Sequence, residues 1–141
     1  MQLSKNFTLE EFTVSQEATR KSIDNTPSST ILSALTNTAE NLELVRKILG
    51  QPISISSGYR SIELNKSIGG VATSQHCKGE AVDFISPKFG TPKQIVDMLK
   101  NSRVPFDQLI LEYDRWVHVS FANSNRKQVL VIDSKGTRVY S

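Results

Sequence analysis

A chain of 141 residues with 38% hydrophobic and 22% charged residues has the size and composition of one ordinary globular domain. The formal net charge of +3 is mildly basic, but the lysines and arginines are scattered, which argues against nucleic-acid binding. No apolar stretch approaches the roughly 20 residues of a bilayer-spanning helix, and the polar start lacks the apolar core of a signal peptide. We therefore expect a single monomeric domain over residues 1–141, made in the cytoplasm and not inserted in a membrane.

Residues 1–25 are predicted to form an N-terminal arm with one short helix. Thr8 and Glu11 have the spacing of a capping box, in which each side chain accepts a hydrogen bond from the other residue's backbone amide. Phe7 and Phe12 flank this box and can attach the helix to the body of the domain.

A long amphipathic helix is predicted over residues 27–49. Thr26 would be its N-cap, Pro27 its first helical residue and Gly50 the residue that ends it. Apolar residues recur at helical spacing, namely Ile31, Leu35, Leu42, Val45 and Leu49. This stripe should pack against a sheet.

The middle of the chain alternates short elements with turns. Residues 53–57 and 80–85 alternate like strands, and Ser61 can cap a short helix that ends at the pair 69–70. Residues 71–79 are predicted to be a loop. Thr91 and Pro92 begin another helix, which should extend to about residue 101.

The C-terminal part of the core is predicted to be strands. Residues 107–112 and 116–121 form one predicted hairpin, and residues 129–133 and 137–140 form a second. We therefore expect an α+β fold, a small antiparallel sheet with helices packed on one side. Residues 26–121 would be the core that carries the site, and residues 122–141 a terminal hairpin.

The chain has two histidines, and both lie near a carboxylate in an apolar strand pattern. His76 precedes Asp83 across the turn at Gly79, and His118 lies within a later strand. A lone buried carboxylate is costly unless a cation balances it. Two imidazoles and one carboxylate would fill three positions of a tetrahedral zinc ion and leave the fourth for water, as in catalytic sites. The plainer alternative is a hydrogen-bonded histidine and a salt-bridged aspartate.

A hydrolytic zinc site also needs a general base and a group that holds the substrate. Glu112, at the end of a strand of the hairpin, could reach His118, whereas Asp114 lies in the turn, where aspartate commonly bonds the local backbone. We favour Glu112 over Asp114. Arg60 follows a turn, and its guanidinium could hold a substrate carboxylate or stabilise an oxyanion, although a surface arginine is equally compatible.

Other polar residues near these motifs have predicted supporting roles. Cys77 could form a nucleophilic pair with His118, but this would leave the other two predicted ligands without a role, so we favour a packing role. The predicted substrate contacts are Ser74, Trp116 and Ser120, with Trp116 as core or cleft wall.

Three ordered phrases resemble the zinc D-alanyl-D-alanine peptidase family. These are residues 57–61 (Ser-Gly-Tyr-Arg-Ser), the run from Ser74 through His76 to Asp83, and residues 116–120 (Trp-Val-His-Val-Ser). The N-terminal phrase 6–12 is also similar to small phage and bacterial members. The resemblance covers about residues 50–121 and implies the fold shared with the hedgehog signalling domain. The family cleaves peptidoglycan stem peptides and includes carboxypeptidases and phage endolysins.

The resemblance also implies a role for each site residue. One zinc ion would be bound by His76, Asp83 and His118. Arg60 would meet the substrate carboxylate or carbonyl, and Glu112 would be the base. The chain departs from many members, which have the acid three residues before the last histidine, where this chain has Arg115.

The expected function is a zinc-dependent peptidase, either a carboxypeptidase or an endopeptidase, with a peptidoglycan peptide as its substrate. It would act on the cell wall, after phage-mediated release if it is an endolysin. The alternative is a non-catalytic zinc-containing module of a phage particle, which binds the cell wall or a protein.

Overall fold

Helices and strands alternate along the chain, and the computed structural model describes all residues 1–141. The helices are α1 (Leu9–Thr13), α2 (Gln16–Arg20), α3 (Ser29–Leu49), α4 (Ile62–Ser67) and α5 (Pro92–Leu99), with a 3₁₀ helix at Gln75–Lys78. The strands are β1 (Ser54–Ser57), β2 (Ala81–Ile85), β3 (Gln108–Glu112), β4 (Trp116–Ser120), β5 (Gln128–Asp133) and β6 (Gly136–Val139).

The N-terminal arm forms as predicted around the capping box of α1. The Thr8 amide donates to Glu11 Oε1 at 2.9 Å. The rings of Phe7 and Phe12 meet edge-on at 6.3 Å between centroids, and both are buried. The arm also contains α2, which was not predicted; the Ser15 hydroxyl caps it.

The long helix begins two residues later than predicted. The N-cap is Ser28, whose hydroxyl accepts from the amide of Ile31 at 3.3 Å, so the assignment of Thr26 was wrong. The Thr26 amide instead donates to Asp24 Oδ1, which turns the chain before the helix starts. Gly50 ends the helix in the left-handed conformation, with φ of 67°, as predicted.

The sheet has six strands in the order β1-β2-β4-β3-β5-β6, so the α+β class is confirmed. One detail differs from the expected antiparallel sheet, because β3 and β5 are parallel, with Gln108 opposite Gln128. β4 ends where β3 starts, and the next segment stays at that end of the sheet and crosses to the other side of β3, so β5 runs in the same direction as β3. The predicted hairpins β3–β4 and β5–β6 are both antiparallel.

The two faces of the central strands have different surroundings. On one face, apolar side chains such as Phe84, Leu109 and Val119 are fully buried in the core with residues of α3 and α5. Burial of each such side chain stabilises the fold by about 1.5–3 kcal/mol. The opposite face carries Asp83 and His118, because successive strand residues point to opposite sides. No helix combines the length and the apolarity needed to cross a bilayer.

Candidate metal centre

The centre is built first on two adjacent strands. Asp83 on β2 and His118 on β4 are directly opposite each other in the antiparallel ladder. His118 Nδ1 lies 3.1 Å from Asp83 Oδ1. This contact follows from strand register alone, because opposite side chains on the same face are near neighbours.

His76 comes from outside the sheet, on the 3₁₀ helix. The Ser74 hydroxyl caps this helix by accepting from the His76 amide at 3.2 Å. Gly79 ends it with φ of 72°, and the buried Thr38 hydroxyl of α3 donates to the Gly79 carbonyl at 2.7 Å. The predicted glycine turn is therefore present, and it places His76 Nε2 3.4 Å from Asp83 Oδ1.

A hydrogen bond determines which nitrogen of His76 is free. His76 Nδ1 lies 2.8 Å from the carbonyl oxygen of Gly58, which can only accept. The proton of a neutral imidazole therefore resides on Nδ1, and the lone pair of Nε2 faces Asp83. A lone pair facing a carboxylate at this distance requires a cation or a proton between them. Outer partners of this kind orient metal-binding histidines.

The donor set fits a tetrahedral zinc ion. The three candidate ligand atoms of His76, Asp83 and His118 all lie within 4.8 Å of one another. A tetrahedral ion with bonds near 2.0–2.1 Å has ligand atoms about 3.3 Å apart. The two contacts to Asp83 Oδ1, at 3.1 and 3.4 Å, bracket that separation. These residues could therefore hold a zinc ion.

The two histidines also decide the charge of the carboxylate. Burial alone would raise the pKa of Asp83, but hydrogen bonds with His118 and, when its Nε2 is protonated, with His76 outweigh it and hold that pKa well below its ordinary value. Asp83 therefore stays ionised, as a metal ligand must be. A plain salt bridge between Asp83 and a protonated histidine, without a metal, would involve the same atoms.

Glu112 ends β3, opposite Trp116 at the start of β4. Its Oε2 accepts a hydrogen bond from Trp116 Nε1 at 2.9 Å, whereas its Oε1 has no hydrogen bond within the protein. Burial and the negative charge of Asp83 raise the pKa of Glu112. Asp114, the other predicted base, is exposed in the turn and accepts from the Lys93 amide at 3.3 Å.

Arg60 lies beside the 3₁₀ helix that carries His76. The Arg60 amide donates to the His76 carbonyl at 3.2 Å, and Nη2 donates to Ser74 Oγ at 3.1 Å. Its Nε is buried and has no hydrogen-bond partner. Ser74 thus orients both Arg60 and His76.

One cavity of about 740 Å³ brings most of these groups together. Its lining includes the predicted site residues Arg60, Ser74, His76, Asp83, Glu112, Trp116 and His118. Ser120 is not among them. Its side chain is fully buried, and its hydroxyl accepts from the Gln108 amide at 3.1 Å, so it supports strand pairing rather than a substrate contact. This placement corrects the predicted role of Ser120.

Cys77 is not part of the cavity wall either. Burial raises the pKa of its thiol, with Arg60 opposing the effect, so the thiol is not activated as a nucleophile. The structure therefore gives no support to the Cys77–His118 alternative.

Sequence reasoning missed a second polar cluster at the cavity. The fully buried carboxylate of Asp107 accepts from Gln75, Ser124 and Arg126, all three of which line the cavity. The members are far apart in the chain and follow no periodic pattern. The only available signal was an acidic residue directly before a strand, which is too common to indicate a site.

Comparison with known proteins identifies the family. No match was found among curated proteins. The family model described as Peptidase M15 matches residues 5–120, which include every residue of the candidate metal centre. Members of this family are zinc-dependent metallopeptidases, in agreement with the cluster of two histidines and one aspartate. The chain therefore belongs to the peptidase M15 family, as its three phrases indicated.

Proposed function

We propose that the chain hydrolyses peptide bonds of peptidoglycan stem peptides, with one zinc ion held by His76, Asp83 and His118. The observation that carries this proposal is the single cavity in which these three side chains lie together with Glu112 and Arg60. A metal-binding cluster, a carboxylate and a guanidinium in one cleft are the parts that peptide hydrolysis requires.

Zinc, when bound, supplies a Lewis acid that acidifies water and polarises the peptide carbonyl. The protein residues would hold that ion in place and transfer the proton of the attacking water. The Gly58 carbonyl keeps the His76 proton on Nδ1, so that Nε2 can act as a ligand. The core beneath β2 and β4 holds the other two ligands in register.

Glu112 is the proposed proton carrier. Trp116 Nε1 donates to Oε2 and orients the carboxylate, which leaves Oε1 free to accept the proton of the attacking water. Burial raises the pKa of Glu112, so it retains this proton more readily than an exposed glutamate does. The same proton then passes to the nitrogen of the departing amine as the carbon–nitrogen bond breaks.

Arg60 is the proposed substrate anchor. Ser74 holds one end of its guanidinium at the cavity wall, and its planar fork suits a carboxylate. A carboxypeptidase would place the terminal carboxylate of the substrate here, and an endopeptidase would place a carbonyl oxygen here. Ser74 and Trp116 would contact the same part of the peptide.

We further propose that the protein acts as a monomeric phage endolysin. The net charge of +3 suits an anionic cell wall. Expression with a holin should lyse the producing bacteria, whereas expression alone should not. Lysis that is independent of the holin would contradict phage-mediated release, and a dimer in sedimentation would contradict the monomer.

The direct test is mass spectrometry of purified muropeptides after incubation with the zinc-loaded protein. We expect cleavage at one stem-peptide bond, and the masses will distinguish loss of a terminal residue from internal cleavage. The matched control is Glu112→Gln, which should retain zinc and lose cleavage. If the wild-type protein binds zinc but cleaves no wall peptide, the non-catalytic binding module is the correct function.

A further inference from the structure

Arg126 is a second arginine at the cavity wall, and its contacts leave part of the guanidinium free. Its Nε donates to Asp107 Oδ1 at 3.0 Å and its Nη2 to Asp107 Oδ2 at 2.7 Å. Nη1 makes no hydrogen bond within the protein. About half of the side chain (49%) is exposed, and the residue lines the same cavity as the metal-binding cluster. One edge of the guanidinium is thus fixed, and the other is available to a ligand.

The segment that carries Arg126 is held rigidly. The Arg126 amide and the Ser124 hydroxyl both donate to Asp107 Oδ1, at 2.9 and 2.7 Å. The next residue, Lys127, donates to the carbonyl oxygens of Ser102 and Val104. A donor that is already ordered loses little conformational entropy when it binds a ligand. The structure therefore presents the free edge of Arg126 in a fixed position.

Sheet order places Arg126 and Arg60 on different sides of the metal-binding cluster. Arg60 follows β1 at one edge, whereas Arg126 precedes β5 and contacts Asp107 at the start of β3. The strands with Asp83 and His118, β2 and β4, lie between them in the sheet. An extended peptide held at Arg60 and crossing the metal-binding cluster would therefore continue toward Arg126.

We propose that Arg126, positioned by Asp107, binds a second carboxylate of the substrate on the side of the scissile bond opposite to Arg60. This inference rests on the proposed function. It names the substrate class as a peptide with an additional free carboxylate, beyond any group that Arg60 holds. An arginine edge pairs with a planar carboxylate through two parallel hydrogen bonds, which a carboxamide cannot reproduce.

Directed hydrogen bonds, and not net charge, should carry this selectivity. The cavity lining carries three positive and three negative formal charges, from Arg60, Lys78 and Arg126 and from Glu80, Asp83 and Glu112. Removal of a positive charge outside the cavity should therefore leave the preference for a free carboxylate unchanged. Arg103 is an exposed arginine outside the cavity, and Arg103→Gln makes the same change in net charge as Arg126→Gln.

The test uses two peptides that are identical except for one free carboxylate, which is a carboxamide in the second peptide. Their binding is measured by calorimetry with zinc-loaded Glu112→Gln protein, so that hydrolysis cannot interfere. We expect the acidic peptide to bind about tenfold more tightly, because a charge-assisted pair is lost in the amide. Adding Arg126→Gln should abolish this preference, and Arg103→Gln should leave it unchanged.

Arg126→Lys covers the case in which Arg126→Gln does not fold, since it retains the charge beside Asp107. A lysine offers a point charge instead of a planar edge, so the preference should fall to about threefold or less. Equal binding of the two peptides, or a full preference in either Arg126 variant, would overturn the inference. Failure of the wild-type protein to hydrolyse either peptide would overturn the proposed function alone. If neither peptide binds at millimolar concentration, both proposals fail.

Discussion

Asp83 lines the cavity, whereas Asp107 is buried behind three residues of its wall, and the two carboxylates have different kinds of partner. Donors surround Asp107, because a guanidinium, a backbone amide, a hydroxyl and a carboxamide all donate to it. Asp83 has two imidazoles, and the tautomer of His76 turns a lone pair toward it. Both have lowered pKa values. The difference indicates that a carboxylate with a full set of donors supports structure, whereas one that faces an imidazole lone pair is suited to a metal.

The strongest test of this comparison replaces each of the two aspartates by asparagine in turn. Asp83→Asn should remove one zinc ligand and lower both zinc affinity and kcat/KM by at least about 100-fold, because even outer partners of a zinc ligand contribute 10–100-fold. Zinc content by mass spectrometry and muropeptide cleavage would measure this. Asp107→Asn should retain zinc. Equal zinc loss in the two variants would contradict the separate roles.

The second test concerns Glu112, the proposed base next to the candidate metal centre. Glu112→Gln should lower kcat about 100-fold or more with zinc retained, because general acid–base catalysis contributes at least that much. Asp114→Asn is the matched control, since that side chain is exposed and bonds Lys93 outside the cavity. Steady-state kinetics on a defined stem peptide would decide, and a larger loss in the Asp114 variant would reverse the assignment.

The third test addresses the carboxylate with a full set of donors. Asp107→Asn should lower the free energy of unfolding by about 2 kcal/mol, since it weakens charge-assisted hydrogen bonds to a fully buried group. The lowered pKa of Asp107 contributes stability that is present above about pH 4 and is lost as the pH falls further. Urea unfolding at several pH values should therefore show a steeper acid decline for the wild-type protein. Parallel curves would show that Asp107 adds no pH dependence.

The smallest expected effect concerns the carbonyl that orients His76. A Cβ at Gly58 would lie 2.5 Å from the Phe12 carbonyl oxygen, so Gly58→Ala must displace the backbone that bonds His76 Nδ1. We expect about tenfold weaker zinc binding, as for loss of an outer partner. In the control, Gly90→Ala, the new Cβ meets only the side chain of Gln94, which belongs to the capping box of α5 and does not line the cavity. Competition with a zinc indicator would measure the zinc affinity of both variants. Equal zinc affinities of the two variants would show that Gly58 does not orient His76.

Local sequence signals predicted most elements, and the errors have identifiable causes. The capping boxes at Thr8 and Thr91 both form, because the partners are only three residues apart. Thr26 was predicted as the cap because the turn at Asp24 was not recognised, whereas the cap is Ser28. The parallel pairing of β5 depends on its joining β3 instead of β4, and hydrophobic periodicity carries no information about that choice.

The sequence by itself determined which side chains could bind zinc, since only two histidines exist and strand alternation placed Asp83 and His118 opposite the core. Tertiary structure decided the rest. It buried Ser120, whose hydroxyl bonds the neighbouring strand. It placed Glu112 in the cavity wall and Asp114 outside it. It also brought Asp107 and Arg126, which are far apart in the sequence, into contact. The physical reason is the sequence distance over which each interaction acts. Helix caps and strand alternation involve residues a few positions apart, whereas the hydrogen bonds of a buried carboxylate come from groups that only folding brings together.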